Sequence, residues 1–241
     1  MTHADALTSK RPAKIAGMFD SIAPRYDALN HLLSAGLDRV WRRRAVRALA
    51  LTGRERVLDI CTGTGDLAIE AIRGRDGCAR DVVGVDFAGE MLRLGLEKVR
   101  QKQLASRVHF VRGDATRIPL PDGSCDAALV GFGIRNVMDP AAACREVARI
   151  VRPGGRFAVL EFGTPTLPGL RGLYGWYFRA VLPRIGRLVS KHGDAYSYLP
   201  ASVAQFPDPP VFMDLMRTAG FRSVRHQPLT CGVVSLFVAE R

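Results

Sequence analysis

The sequence predicts an α/β fold, specifically a Rossmann-like, doubly wound and mostly parallel seven-stranded sheet with an antiparallel edge strand. The first observation is that five short apolar runs alternate with helical stretches, which is the order of βαβ units. These runs are residues 56–60, 82–86, 108–111, 126–130 and 156–160. The second observation is that two strand-like runs, residues 221–226 and 233–239, lie close enough near the end of the chain to pair as an antiparallel edge.

The stretches between these strands are typical of helices that cover both faces of a parallel sheet. Residues 66–73 follow the first strand, residues 90–103 follow the second, and residues 140–151 begin with a proline at the first turn. Two further helices, at about residues 12–27 and 38–50, precede the first strand. Ligands of such sheets bind outside the carboxyl ends of the strands, so we expect the site there.

The 241 residues are expected to form one compact domain. Residues 1–50 are an N-terminal helical segment that contributes to a substrate site, and residues 51–241 are the α/β domain. An insert at residues 163–212, rich in proline, glycine and aromatic residues, has the length of a lid or substrate-binding segment. Because the N-terminus lacks the apolar core of a signal peptide, the expected location is the cytoplasm.

A glycine loop, Cys61-Thr62-Gly63-Thr64-Gly65, directly follows the first strand and leads into a helix. Glycines let the backbone approach a ligand closely, and a helix N-terminus attracts an anionic group. Asp86 ends the second strand 21 residues after Gly65, where its carboxylate can accept both ribose hydroxyls of an adenosine. The loop and Asp86 therefore predict a cofactor that contains adenosine.

Two cofactor chemistries share this arrangement. The run from Gly63 to Ala68 also fits G-x-G-x-x-A, the dinucleotide fingerprint of a dehydrogenase, but this match alone is weak. Asp59, which precedes the glycines, favours S-adenosylmethionine, because a carboxylate can hold an ammonium group and would repel a pyrophosphate. Asp114 and Ala115 follow the third strand and are placed for the adenine edge. This series is typical of class I methyltransferases.

Further motifs are spread over residues 19 to 238. They are Tyr26-Asp27-Ala28-Leu29-Asn30 with Ser34, Gly36 and Trp41, Phe132-Gly133-Ile134-Arg135-Asn136-Val137, residues 149–155 with Leu160-Glu161-Phe162, residues 182–186, and residues 196–199. Together they resemble the signatures of the ubiquinone/menaquinone biosynthesis C-methyltransferase family. By this resemblance Thr64, Asp86, Asp114 and Ala115 bind S-adenosylmethionine and Gly131 lies near it, while Cys61 departs from the first glycine of the general loop.

The resemblance implies methyl transfer to a ring carbon of a reduced prenylated quinone, a lipophilic quinol. Such a carbon becomes nucleophilic when the neighbouring hydroxyl loses its proton. We expect Arg135 to stabilise the phenolate, Asn136 to orient the hydroxyl, and Tyr26 to hydrogen-bond to it or relay its proton. The alternatives are a surface ion pair for Arg135 and a core position for Tyr26. His31 and His192 are further candidate bases, and no metal ligand cluster is expected.

Three rival functions remain at this level: methylation of another lipophilic small molecule such as a sterol, methylation of RNA, and a non-enzymatic assembly role. The formal net charge of +12 suits an anionic membrane or a nucleic acid, or merely reflects an arginine-rich composition. We expect no nucleic-acid partner, because the sequence has no appended RNA-binding module. In the insert, aromatic residues interleaved with Arg171, Arg179, Arg184 and Arg187 are typical of a peripheral membrane segment or of a core-facing helix. A homodimer is left open.

Overall fold

The computed structural model describes residues 12–74, 78–165, 167–176 and 194–241. Within these ranges the helices are α1 Pro12–Leu33, α2 Leu37–Ala48, α3 Asp66–Arg73, α4 Gly89–Gln101, α5 Pro140–Ile150, α6 Pro168–Trp176, α7 Asp194–Ala204 and α8 Pro209–Thr218. The strands are β1 Arg56–Ile60, β2 Asp81–Asp86, β3 Val108–Arg112, β4 Cys125–Gly131, β5 Val151–Phe162, β6 Arg222–Leu229 and β7 Val234–Glu240. Two short 3₁₀ helices span Ile134–Asn136 and Thr230–Gly232.

The seven strands form one sheet in the order β3-β2-β1-β4-β5-β7-β6. Strands β1 to β5 are parallel to one another, whereas β7 is antiparallel to both β5 and β6. The predicted fold class is therefore confirmed, including the antiparallel pair at one edge. Within that pair β6 is the outermost strand, and it runs in the same direction as β1.

Strand β1 lies at the centre of the sheet and is covered on both faces. Val57 packs in an apolar cluster with residues of α2 and α3, whereas Leu58 and Ile60 pack in a second cluster with residues of α5 and α8. Covered faces are what a parallel sheet requires. Because β1 pairs with both β2 and β4, the order of the strands reverses there, and a crevice opens at their carboxyl ends.

Helix α1 extends to Leu33, beyond the end predicted near residue 27, and it continues through Pro24. A tight turn then ends it. Gly36 adopts a left-handed conformation with φ 79°, and its N–H donates to the carbonyl oxygen of His31 (2.9 Å). Left-handed glycines of this kind commonly follow helix ends, and α2 starts at the next residue. The two N-terminal helices are therefore joined by a sharp corner.

The insert contributes α6 and α7 to the described part of the chain. Helix α7 contacts α1 and the 3₁₀ helix Ile134–Asn136. Residues 177–193, which include Arg179, Arg184, Arg187, His192 and the motif at residues 182–186, lie outside the described residues. Among the described helices, none combines the length and the apolar character that crossing a membrane would require.

Candidate active site

The glycine loop between β1 and α3 adopts left-handed backbone conformations. The φ angles are 51° at Cys61, 55° at Gly63 and 78° at Gly65. A β-carbon on Gly65 would lie 2.5 Å from Cζ of Phe110, whereas one on Gly63 would have no atom within 4 Å. Gly63 therefore leaves space for a close ligand. Cys61 takes the conformation that a glycine would adopt without strain, which costs roughly 1–2 kcal/mol for another residue.

Two carboxylates, Asp59 and Asp86, lie beside this loop. Asp59 is fully buried, its Oδ2 accepts the Thr62 hydroxyl (2.6 Å), and its Oδ1 has no hydrogen-bond partner among the described residues. Burial, reinforced by the negative charge of Asp86, raises the pKa of Asp59 to about 7. Oδ2 and Oδ1 of Asp86 accept the N–H groups of Gly63 (2.8 Å) and Ala88 (2.9 Å), and burial also raises the pKa of Asp86.

The structure distributes the predicted cofactor residues over two adjoining cavities at the strand ends. A cavity of about 510 Å³ is lined by Asp86, Asp114 and Ala115. A smaller cavity is lined by Asp59, Gly63, Thr64 and Gly131, and Cys61 lines both. Gly65 lines neither cavity and instead turns the backbone into α3. Seven of the eight predicted positions therefore face the same crevice.

The hydroxyl of Thr64 is engaged by a polar cluster that joins the loop to α1 and α4. It donates to Oδ1 of Asp27 (2.6 Å) and accepts from Nζ of Lys98 (2.9 Å). Lys98 also pairs with Asp27 (2.5 Å) and Asp66 (2.7 Å). Lys98 was not among the predicted site residues, because it lies 34 positions from Thr64 and only the tertiary structure brings the two side chains together. The cluster ties α1 over the smaller cavity.

A third cavity, of about 300 Å³, lies between α1, α2 and the segment after β4. Its walls are mostly apolar and include Met18, Ile22, Leu29, Leu33, Leu37, Trp41, Phe162 and Val233. Trp41 is held in place because its Nε1 donates to Oγ1 of Thr230 (2.8 Å). Tyr26 and Phe132 line both this apolar cavity and the cavity that contains Asp59. Asn30 and Arg42 also line both cavities, so the two spaces meet at these four side chains.

Arg135 lines the apolar cavity and is only 6% exposed. Its Nη1 donates to Oε1 of Glu161 (2.8 Å) and to the carbonyl oxygen of Phe132, and its Nε donates to Oγ of Ser202 (3.3 Å). The surface ion pair considered as an alternative is therefore wrong. The pair is buried, and the positive charge is already balanced by Glu161.

Glu161 is the residue that the sequence analysis missed beside Arg135. It appeared only as part of a motif, although a carboxylate inside the apolar run of residues 157–162 signals a buried partner. Oε1 of Glu161 also accepts the backbone N–H of Phe162 (2.9 Å), and the side chain is fully buried. Buried charges persist when they are paired and hydrogen-bonded, as both members are here.

Asn136 and Tyr26 occupy different positions relative to the apolar cavity. Asn136 lines a further small cavity together with Tyr26, Gly63 and Asp86, and its Oδ1 accepts the hydroxyl of Tyr198 (3.0 Å). Tyr198 lines the apolar cavity, so its hydroxyl links Asn136 to that side of the site. Burial raises the pKa of Tyr26 above 10, against the opposing charges of Arg135 and Arg42. The Tyr26 hydroxyl is therefore neutral at physiological pH.

His31 does not line any of these cavities. Its Nδ1 lies 3.0 Å from Oδ1 of the buried Asp38, which also accepts the Ser34 hydroxyl (2.9 Å). These contacts stabilise the corner between α1 and α2. His31 is therefore not positioned to act as a base, contrary to one of the sequence-based alternatives.

The model of the ubiE/COQ5 methyltransferase family matches residues 7–241. The chain belongs to this family. Residues of the two motifs at 26–41 and 132–137 line the apolar cavity and its junction with the glycine loop. The predicted family and the predicted methyltransferase activity are confirmed.

Several relatives match along nearly their whole length. The ubiquinone/menaquinone biosynthesis C-methyltransferase UbiE of Geobacter sp. strain M21 is 46% identical over 233 residues, which are 97% of this chain and 98% of the relative. The demethylmenaquinone methyltransferase of Deinococcus radiodurans is 46% identical over 224 residues, covering 93% and 91% of the two chains. The first relative is named for C-methylation in quinone biosynthesis and the second for methylation of demethylmenaquinone, and both names agree with the activity that the sequence predicts.

Solved structures support the fold. A SAM-dependent methyltransferase from Thermotoga maritima superposes with a TM-score of 0.63 at 21% identity and covers 93% of this chain and 98% of that one. The phosphoethanolamine N-methyltransferase 2 of Haemonchus contortus, in complex with S-adenosyl-L-methionine, gives a TM-score of 0.56 at 17% identity and covers 78% and 48% of the two chains. At such identities the comparison concerns the fold alone, and S-adenosylmethionine as methyl donor rests on the family.

Proposed function

We propose that the protein transfers the methyl group of S-adenosylmethionine to a ring carbon of a reduced prenylated quinone. Demethylmenaquinol and the corresponding ubiquinone precursor are the candidate substrates, as the names of the relatives suggest. The observation that carries the proposal is the meeting of an apolar cavity of about 300 Å³ with the glycine-loop cavity at Tyr26 and Phe132. An apolar cavity of this size suits the ring and first tail atoms of a lipophilic quinol.

The residues beside the glycine loop fit S-adenosylmethionine. Oδ1 of Asp59 is a buried acceptor without a partner among the described residues, which an ammonium group would satisfy. Asp86 would accept the ribose hydroxyls, and Asp114 and Ala115, which line the same cavity, would face the adenine edge. The open space at Gly63 supports a close approach of the ligand to the backbone. When bound, this cofactor supplies an electrophilic sulfonium methyl group.

On the substrate side, the side chains would handle one hydroxyl proton. The guanidinium of Arg135, which lines the apolar cavity, would donate to the quinol oxygen and favour its deprotonated form. Because Glu161 balances the guanidinium charge, Arg135 contributes a directed hydrogen bond more than a net positive charge. The neutral hydroxyl of Tyr26 would donate a second hydrogen bond or relay the proton. The apolar walls would hold the ring in register and exclude water.

A methyl-transfer assay with labelled S-adenosylmethionine tests the proposal. The purified protein is incubated with the reduced demethylated precursors of menaquinone and of ubiquinone, and the products are analysed for a new carbon-bound methyl group. We expect transfer to at least one quinol. If the protein binds the cofactor but methylates neither quinol, the substrate proposal is wrong. Transfer to a sterol or fatty acid instead would support the alternative, a methyltransferase for another lipophilic molecule.

The variant Tyr26→Phe tests the role of the phenolic hydroxyl. Phenylalanine keeps the ring that separates the cavities, so the affinity for S-adenosylmethionine, measured by calorimetry, should stay near that of the wild type. Turnover should fall by about 10²-fold if the hydroxyl assists proton transfer. Wild-type turnover in this variant would remove Tyr26 from the reaction, and a large loss of cofactor affinity would reassign it to cofactor binding.

A further inference from the structure

The corner between α1 and α2, defined as residues 32–47, exposes large apolar side chains. Leu32 is 63% exposed, Val40 is 46% exposed and Leu37 is 40% exposed. Leu37 and Val40 are three residues apart on α2 and therefore share one side of that helix. Single exposed apolar residues are normal, but several within nine residues at one corner suggest a surface that another apolar phase covers.

The exposed side of α2 is also strongly basic. Arg39, Arg43, Arg44 and Arg47 are exposed, and the only carboxylate of this helix, Asp38, is buried. Asp38 is used within the corner, since its Oδ2 lies 2.8 Å from Nη1 of Arg42. Arg43 lies 3.8 Å from Glu70, a loose pairing. The corner therefore presents several exposed arginines, interspersed with exposed leucine and valine side chains.

The apolar cavity opens at this same corner. Leu37 lines the cavity and is also exposed, and the neighbouring Ala35 has the same two properties. On another wall, Tyr174 of α6 lines the cavity, and Trp176 on the same helix is 56% exposed. Exposed arginines interspersed with exposed aliphatic residues, as at this corner, form the composition that favours the boundary between lipid tails and headgroups.

We propose that the α1–α2 corner docks on an anionic lipid bilayer, so that the prenyl tail passes from the bilayer directly into the apolar cavity. The proposal rests on the quinol substrate proposed above. Anionic headgroups would pair with the arginines while Leu32 and Val40 enter the interface. A nucleic acid would satisfy the arginines but not the apolar residues or the cavity mouth between them. The contact surface thus differs from the insert that the sequence analysis considered.

Vesicle co-sedimentation of the full chain at low salt tests the docking. Wild-type protein should bind vesicles that contain phosphatidylglycerol and bind phosphatidylcholine vesicles much less. Arg39→Gln with Arg44→Gln should weaken binding about 25-fold, because each arginine contributes about fivefold. Val40→Glu should weaken it as well. Val211→Glu and Arg217→Gln, exposed positions on α8, are the matched controls and should bind like the wild type.

Two outcomes would overturn the proposal. The first is that the wild type does not bind anionic vesicles, or that the corner variants bind them as well as the α8 controls do. The second is that a single-stranded RNA binds the wild type more tightly than the vesicles do and loses affinity in the same corner variants, which would assign the corner to nucleic acid. Circular dichroism of each variant verifies that the fold is retained.

An activity comparison separates this proposal from the proposed function. One quinol substrate has a short tail and is dispersed in water, and the other has a long tail and is embedded in anionic vesicles. Val40→Glu should raise KM only for the embedded quinol, because Val40 lines no part of the site. Equal effects on both quinols would contradict docking. If the wild type methylates neither quinol, the proposed substrate fails, while sedimentation still decides whether the corner binds lipid.

Discussion

Replacing Asp59 by asparagine should remove a pH-dependent free-energy cost that the protein carries without its cofactor. Burial raises the pKa of Asp59 from 3.8 to about 7. With the pKa raised in the folded state, the folded protein keeps a proton that the unfolded chain releases. Stability from this group is therefore fully present below pH 3.8 and is lost as the pH rises to about 7. At about 1.4 kcal/mol per pKa unit, the full difference is about 4 kcal/mol.

Asparagine keeps the shape of the side chain and can still accept the Thr62 hydroxyl, but it does not ionise. From about pH 5 to about pH 8, the free energy of unfolding of the wild type should fall by about 2–3 kcal/mol relative to Asp59→Asn. Urea unfolding of the cofactor-free proteins at both pH values measures this difference. Asp214→Asn, which changes an exposed carboxylate, is the control and should show no such change. If the wild type and Asp59→Asn differ in free energy of unfolding by the same amount at both pH values, the raised pKa of Asp59 is refuted.

S-adenosylmethionine should respond to the same group. Its ammonium would stabilise the ionised form of Asp59, so the affinity of the wild type should weaken as the pH falls below about 7, by at most tenfold per unit. Asp59→Asn should bind more weakly at about pH 8 and lack this pH dependence. Calorimetric titration at a series of pH values measures both effects. A wild-type affinity that is constant over this range would separate Asp59 from the cofactor's ammonium.

Two further predictions concern the backbone of the loop and the buried ion pair. Gly65→Ala should have a melting temperature well below that of Gly123→Ala, because a β-carbon at residue 65 would collide with Phe110. Gly123 is the control, since it also has a positive φ but has open space around it. Equal melting temperatures of the two variants would contradict the close approach of Phe110 to Gly65. Arg135→Ala should lower the free energy of unfolding by about 3–5 kcal/mol, because it leaves Glu161 buried without its partner. Adding Glu161→Gln to this variant should recover most of the lost stability but should not restore turnover. A double variant as unstable as Arg135→Ala in urea unfolding would contradict the pairing.

Local patterns explain why much of the fold could be predicted. The apolar runs and the helical stretches between them reveal βαβ units, since each pattern repeats within a few residues. The glycine loop and Asp86 identify a cofactor site because the ends of neighbouring parallel strands meet at one edge. The predicted end of α1, near residue 27, was wrong. The helix continues through Pro24 to Leu33, and no local signal in the sequence stops it before Gly36.

The sequence by itself thus determined the fold class, the family and the crevice in which the cofactor residues lie. Only the tertiary structure decided how the side chains around that crevice are paired. Arg135 meets Glu161 across 26 positions of sequence, and Asn136 meets Tyr198 across 62. The position of Asn136 behind Tyr198 also depends on how α7 packs on the 3₁₀ helix. Residue spacing governs local geometry, but contacts over such separations depend on strand order and helix packing, which no local periodicity encodes.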